Sequence, residues 1–573
     1  MTSDAGTRVE SSYWRGLGRS RSTRRRALAA AATAAGSAAL LAACGPRTNA
    51  PFPSQTTGGS QRPRSGGTVT VRTTVDPFDW DVTYVGKGAP NVNGISHAYS
   101  SVLQFKSGPN VKYGDLTLEP ALAEKWETPD GQTFTFHLRK GVKFPSAAPT
   151  NGRELTSDDV KFSYEYLSRT GSIAAKNLPA ADQAWQFEGL TSIQTPDPST
   201  VVVKFDKPFV PFLNYMGSDD NPIMPREIFD QYGNFKDHLA GTGAWQLDTA
   251  ASQAGSKWVW KRNPTYWDAG KPYIDQVTWL VMKDDPAAFA AFGTKQVDIL
   301  TGAGYNVSVK QSEQIAKSRP DAVLPAIQDL SPVPFYMMVS KPPFDDLRLR
   351  QAVAYALDRD EMIKTFTEGK GSWALAGGFP DTFSQEEIKQ MLKYDPAQSK
   401  QLLAAAGHPN GLEVEFIYPG QAYGDQYVQL VQLVQAQLKK VGINLNLVVL
   451  DKQDWLTRER KHQFQMTFPA GKSLGEDIDS YLYAVFYPGS GTNYGDINDA
   501  QLTPLLDQQR RETDAVKRKE IIRQAVKRIN VDQVLGLALY YPANVDVWSP
   551  RIANFGRNFG VKGWPLEQSW LTG

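Results

Sequence analysis

The residue types best suited to chemistry cluster at 468–480, FPAGKSLGEDIDS. Gly471-Lys472-Ser473-Leu474-Gly475 fits G-x-S-x-G, the strand-to-helix turn that exposes a serine nucleophile, and AGKS matches the tail of a phosphate-cradling loop. A hydrolase built on that turn places its acid and then its histidine after the serine in chain order. All five histidines, His97, His137, His238, His408 and His462, precede Ser473. The phosphate loop requires glycine at 466, and the residue there is Met466. A secreted serine hydrolase using Ser473 therefore stays only as an alternative, and no catalytic residue is assigned. The histidines show no H-x₃-H pairing and none lies near the single cysteine, so neither a metal site nor a cofactor is expected.

Whatever chemistry this stretch performs must be positioned by a large folded body. At 573 residues the chain is well beyond the size of one core, and 41% hydrophobic residues with 11% aromatics describe a globular protein of two or more lobes. The formal charge of +2 is misleading. Residues 1–43 carry seven arginines against Asp4 and Glu10, which leaves residues 44–573 at −3. A slightly acidic body offers no basic surface to nucleic acid.

The N-terminus reads as an address. STRRRAL at 22–28 resembles the twin-arginine export motif, and the alanine-rich run after it is weakly apolar and marginal for a membrane span, so a removable signal is the better reading. It ends in Leu41-Ala42-Ala43-Cys44-Gly45, similar to a lipobox in which Cys44 is lipidated and becomes the first mature residue. Residues 1–43 are read as the export signal. Residues 44–67, rich in Pro, Gly, Ser and Thr, are read as a flexible tether to the outer face of the cytoplasmic membrane.

The body opens on a strand at 68–74, TVTVRTT. At 126–144 a β-hairpin turns at Pro129-Asp130-Gly131, with Phe134, Phe136 and Leu138 on one face. Thr156-Ser157-Asp158-Asp159 caps a helix, and Asp345-Asp346 opens another through LRLRQAVAYALDRDEMI, read as one helix to Ile363. A helix at 396–406 closes at Gly407, and strands at 413–418 and 443–450 alternate with the helices, giving an α/β chain. The helix at 515–529 is expected to face the core with Val516, Ile522, Val526 and Ile529, and to leave its basic face in solvent.

Several segments, in order over about 480 residues, resemble the family 5 extracellular solute-binding proteins, the dipeptide- and oligopeptide-binding group of ABC importers. They are 118–144 (LEPALAEKWETPDGQTFTFHLRKGVKF), 155–167, GTGAWQL at 241–247 and KRNPTYWDAGKPYIDQVTW at 261–279. KPPFDDLRLRQAVAYALDRDEMI at 341–363, 394–416 and 532–548 continue the series. The resemblance implies a two-lobed periplasmic-binding-protein-like fold of class II type, with an extra subdomain in the first lobe. Lobe I would comprise 68–332 and 545–573, its subdomain about 113–228, and lobe II 333–544. The crossings would lie at 329–336 and 540–545.

It also implies a monomeric lipoprotein outside the cytoplasmic membrane that is not an enzyme. Such a protein captures a solute by lobe closure and passes it to permease subunits. A di- or oligopeptide is the first expectation, with an oligosaccharide or other solute as the alternative. By the same resemblance Trp80, Tyr84, Trp373 and Tyr494 are candidate ligand contacts, as are Phe468, Lys472 and Asp477 in the opening stretch. Peptide-binding members hold the α-ammonium group on an Asp there. If Asp477-Ile478-Asp479 matches their D-P-D, that position falls near Leu474, unless Glu476 or Asp477 takes the role.

Overall fold

The computed structural model describes residues 62–77, 79–83, 89–302, 305–379, 382–469, 475–558 and 564–572. The first strand, Thr68–Thr73, alternates as its sequence demands: Val69 and Val71 are buried on one face. It pairs in parallel with Gln276–Val281, which continues antiparallel through Lys257–Arg262 to Trp245–Leu247. One face of this sheet packs into a core rich in Trp245, Trp260, Trp279 and Trp564, so the C-terminal segment returns to the first lobe. A smaller apolar layer of Phe292, Val307, Ile315 and Val547 lies in the same lobe.

A second four-stranded sheet, wholly antiparallel, extends this lobe. Its order is Ala123–Glu127, Thr133–Leu138, Thr200–Phe205 and Leu190–Asp197. The hairpin turn closes because one carboxylate oxygen of Asp130 accepts the amides of Gln132 and Thr133 at 2.9 and 2.7 Å, and Gly131 supplies a φ of 66°. Phe134, Phe136 and Leu138 point into the core. Helix Ser157–Ser168 begins where the Asp159 carboxylate accepts the Thr156 amide at 2.9 Å.

The second lobe is a five-stranded sheet in the order Ile443–Val449, Leu412–Tyr418, Met466–Thr467, Pro334–Met337, Leu537–Ala538. The first three strands run parallel, and the last two pair antiparallel. The expected single helix at 347–363 is two, Leu347–Ala356 and Arg359–Thr367. Leu357 turns extended and the Asp358 carboxylate accepts the Glu361 amide at 2.9 Å, starting a new helix across an otherwise continuous apolar spacing.

Two chain segments cross between the lobes, and they are bonded to each other along the way. Ala326–Gln328 pairs with Ala543–Val545, then Asp329 N donates to Pro542 O, Val333 N to Tyr540 O and Leu539 N to Val333 O, each at 2.9 Å. Pro334↔Ala538 continues the pairing into the second sheet. A two-stranded ribbon of this kind resists stretching and yields to bending or twist. The buried core of the second lobe, from Leu330 to Tyr541, shares no buried residue with either core of the first.

Candidate functional site

In open α/β sheets, ligands bind outside the carboxyl ends of the parallel strands. In the second lobe those ends are Tyr418, Val449 and Thr467, so 468–480 leaves the sheet at a carboxyl edge. In the first lobe they are Thr73 and Val281, and the segment holding Trp80 leaves from the first of them. Both stretches singled out in the sequence thus start from the edges where solute walls form.

The side chains themselves are placed as follows. Trp80 is packed edge-on against Trp258 and Trp260, with centroids 5.9 and 5.7 Å away, and its amide donates to Lys236 O. Asp81 beside it accepts from the Thr83 amide and hydroxyl and from the Tyr166 hydroxyl, which fixes the segment into the lobe core. Trp373 is buried, its indole donating to Asp360 at 2.7 Å and its backbone exchanging two bonds with Gln385. Phe468 is 1% exposed and stands edge-on to Phe335, Phe416 and Tyr427. Tyr494 is also buried, and burial raises its pKa. Trp80 belongs to the buried core of the first lobe, and Trp373, Phe468 and Tyr494 to that of the second. Tyr84, Lys472, Ser473 and Cys44 lie outside the described residues.

Asp477 is engaged within the protein. Arg518 grips it in bidentate fashion at 2.5 and 3.0 Å, and Asn214 Nδ2 of the first lobe donates to it at 2.9 Å. Two residues on, Asp479 is wholly buried. It accepts from the Tyr215 hydroxyl at 2.9 Å, from Arg510 Nε at 3.0 Å and from Gln509 Nε2. Burial raises the Asp479 pKa, partly offset by the charge of Arg510. Glu476 accepts from the Ser218 hydroxyl at 2.8 Å. Arg510 reaches back across the seam to Glu188 at 2.6 Å, with its guanidinium between the rings of Tyr483 and Phe209. Burial opposes its charge, but Asp479, Tyr215 and Glu188 outweigh that and lift its pKa above the ordinary value.

Sequence reading did not find this seam. The helix Ala515–Lys527 was expected to bury Val516 and to expose its basic face, yet Val516 is 81% exposed and Arg518 is 1% exposed. The reason is Asp477, whose buried charge demands a cation that only the spatial arrangement reveals. Among the described residues there is no cluster of His, Cys, Asp or Glu able to hold a metal. No described helix is long and apolar enough to cross a membrane.

Comparison with known proteins agrees with this architecture. Residues 117–493 match the family model described as bacterial extracellular solute-binding proteins, family 5 Middle. The chain is 25% identical to Heme-binding protein A of Haemophilus influenzae over 532 residues, covering 90% of this chain and 94% of that one. It is 27% identical to the Dipeptide-binding protein of Escherichia coli over 472 residues, covering 78% and 86%. Among solved structures it superposes on the ABC transporter-associated periplasmic binding protein DppA from Helicobacter pylori in complex with peptide STSA. The TM-score is 0.73 at 25% identity, covering 89% of this chain and 99% of that one. With two α/β lobes on separate cores, a paired crossing and a match over most of its length, this chain belongs to the bacterial extracellular solute-binding proteins of family 5.

Proposed function

We propose that the protein captures a di- or oligopeptide outside the cytoplasm, encloses it by lobe closure and presents the closed form to the permease of an ABC importer. The observation that carries the closing step is the separation of the two cores. Because the buried cores of the two lobes share no residue among the described ones, with Tyr113 of the first lobe packed against the core of the second, the lobes can part at a hinge with little core exposed, and a solute contacting both shifts the balance toward closed. The peptide class is supported by relatives named for binding dipeptides and di- or tripeptides. A monomer tethered by a lipid on Cys44 fits the sequence LLAAC, and a Cys44→Ser variant is expected to leave the membrane fraction.

One structural observation favours a second reading of the solute. Glu476 and Asp477, the acids nearest to where peptide-binding members hold an α-ammonium group, are already engaged, Glu476 by the Ser218 hydroxyl and Asp477 by Arg518. A peptide whose amino end is blocked, or a solute without a free ammonium, fits that state better than a free dipeptide. Thermal shift with matched free and N-acetylated peptides and with oligosaccharides separates these cases, since a solute that binds the folded form raises its melting temperature. Stabilisation by free dipeptides alone would reject the second reading; stabilisation by glycans alone would reject a peptide and leave a solute without a free ammonium. Turnover of a chromogenic ester that is lost on Ser473→Ala would return the chain to the hydrolases.

A further inference from the structure

Three successive neutral donors of the first lobe meet three carboxylates of the second. Asn214 and Tyr215 lie on helix Phe212–Met216, Ser218 follows it, and their partners Asp477, Asp479 and Glu476 sit within four residues of one another. Tyr215, Ser218 and all three carboxylates are buried. The backbone joins in where Val210 N donates to Arg510 O at 2.8 Å. Gly131 comes so close that a Cβ there would lie 2.7 Å from Thr513 Cγ2.

The division of charge across this seam decides what it can do. The cations that neutralise Asp477 and Asp479, namely Arg518 and Arg510, belong to the same lobe as the acids. Parting the lobes therefore leaves those ion pairs whole, exchanges three neutral donors for water and breaks one ion pair, that of Arg510 with Glu188. Glu188, the charged first-lobe partner, is 52% exposed at its side chain and returns to water when it separates from Arg510, which keeps its pairing with Asp479. A seam with its arginines on the opposite lobe would strand bare carboxylates on opening and lock shut. This one is strong enough to favour contact and cheap enough to break.

We propose that Asn214, Tyr215 and Ser218 are retention residues. They hold a measurable fraction of the solute-free protein closed, and so set how long a solute stays enclosed without contacting it. Their bonds run directly from one lobe to the other with no solute atom in them, so the seam biases the open–closed balance by itself, and solute contacts add to that bias.

The test is run on the solute-free full chain, its emptiness checked by native mass spectrometry, so that its outcome does not depend on which solute class is correct. Single-molecule energy transfer between dyes on the two lobes reads the closed fraction. The combined Asn214→Ala, Tyr215→Phe, Ser218→Ala variant is expected to lower the closed-to-open ratio roughly tenfold or more, since each loss leaves a carboxylate short of a donor. Near-ultraviolet circular dichroism checks that the variant is folded. If it is not, Tyr215→Phe alone keeps the ring against Trp185, 5.1 Å away, and is expected to shift the ratio in the same direction by a smaller factor. An unchanged distance distribution in the folded variant, or a wild type that is wholly open without solute, overturns the proposal.

Discussion

His97 shows what close packing does to a single ionisable group. Its ring lies within 4.9 to 6.2 Å of Trp245, Trp260, Trp279 and Trp564, and burial pushes its pKa down to about 3. The folded state thus holds the neutral ring while the unfolded chain binds a proton below about 6.5. A depressed folded pKa contributes stability that is present above the unfolded value and is lost as pH falls. Between pH 6.5 and 3, unfolding free energy is expected to drop by up to about 1.4 kcal/mol per pH unit from this group alone. Urea melts of wild type and His97→Phe at pH 7 and pH 4.5 check this: the variant is expected to lose less on acidification. Gly94 gives a second prediction. A Cβ there would lie 2.2 Å from Cζ3 of Trp80, against an indole that is itself held by Trp258 and Trp260. Gly94→Ala is expected to cost about 1–3 kcal/mol of stability in equilibrium unfolding.

Elements were legible wherever the signal is local. The alternation of Phe134, Phe136 and Leu138, the turn at Asp130 and the cap ahead of Ser157–Ser168 each depend on residues within a few positions, and each stands as the sequence expects. The break at Leu357 was missed because Val353, Ala356 and Ile363 keep a helical phase across it, although Asp358 stands three residues before Glu361 as a cap should. Asp358→Ala removes the bond that starts the second helix, and thermal or urea unfolding is expected to show a loss of about 1 kcal/mol. The seam was illegible for a different reason. Asn214 and Asp477 are 263 positions apart, and nothing within either segment names the other. Arg518 reads as one more cation on a basic helix face until Asp477 is placed beneath it.

At the scale of the molecule, the family resemblance carried the two-lobed plan, and the structure supplies the physics of its motion. One apolar core holds the second lobe together and two hold the first, the paired crossing strands join the lobes, and a polar seam bridges them on the side of the antiparallel subdomain. Of the candidate site, 468–480 and the segment at Trp80 leave the sheets at carboxyl edges, and Trp80, Trp373 and Phe468 are themselves buried. Bulk and aromaticity look alike in a sequence whether a ring stacks on a solute or on its neighbours.

The central claim is that the lobes close on a solute. Solution scattering of the emptied protein, before and after saturation with whichever peptide or glycan raises its melting temperature, tests it most directly. The account predicts a smaller radius of gyration in the saturated sample, and a larger decrease when Asn214, Tyr215 and Ser218 have lost their donors. A radius that stays the same at saturation in both proteins would contradict it.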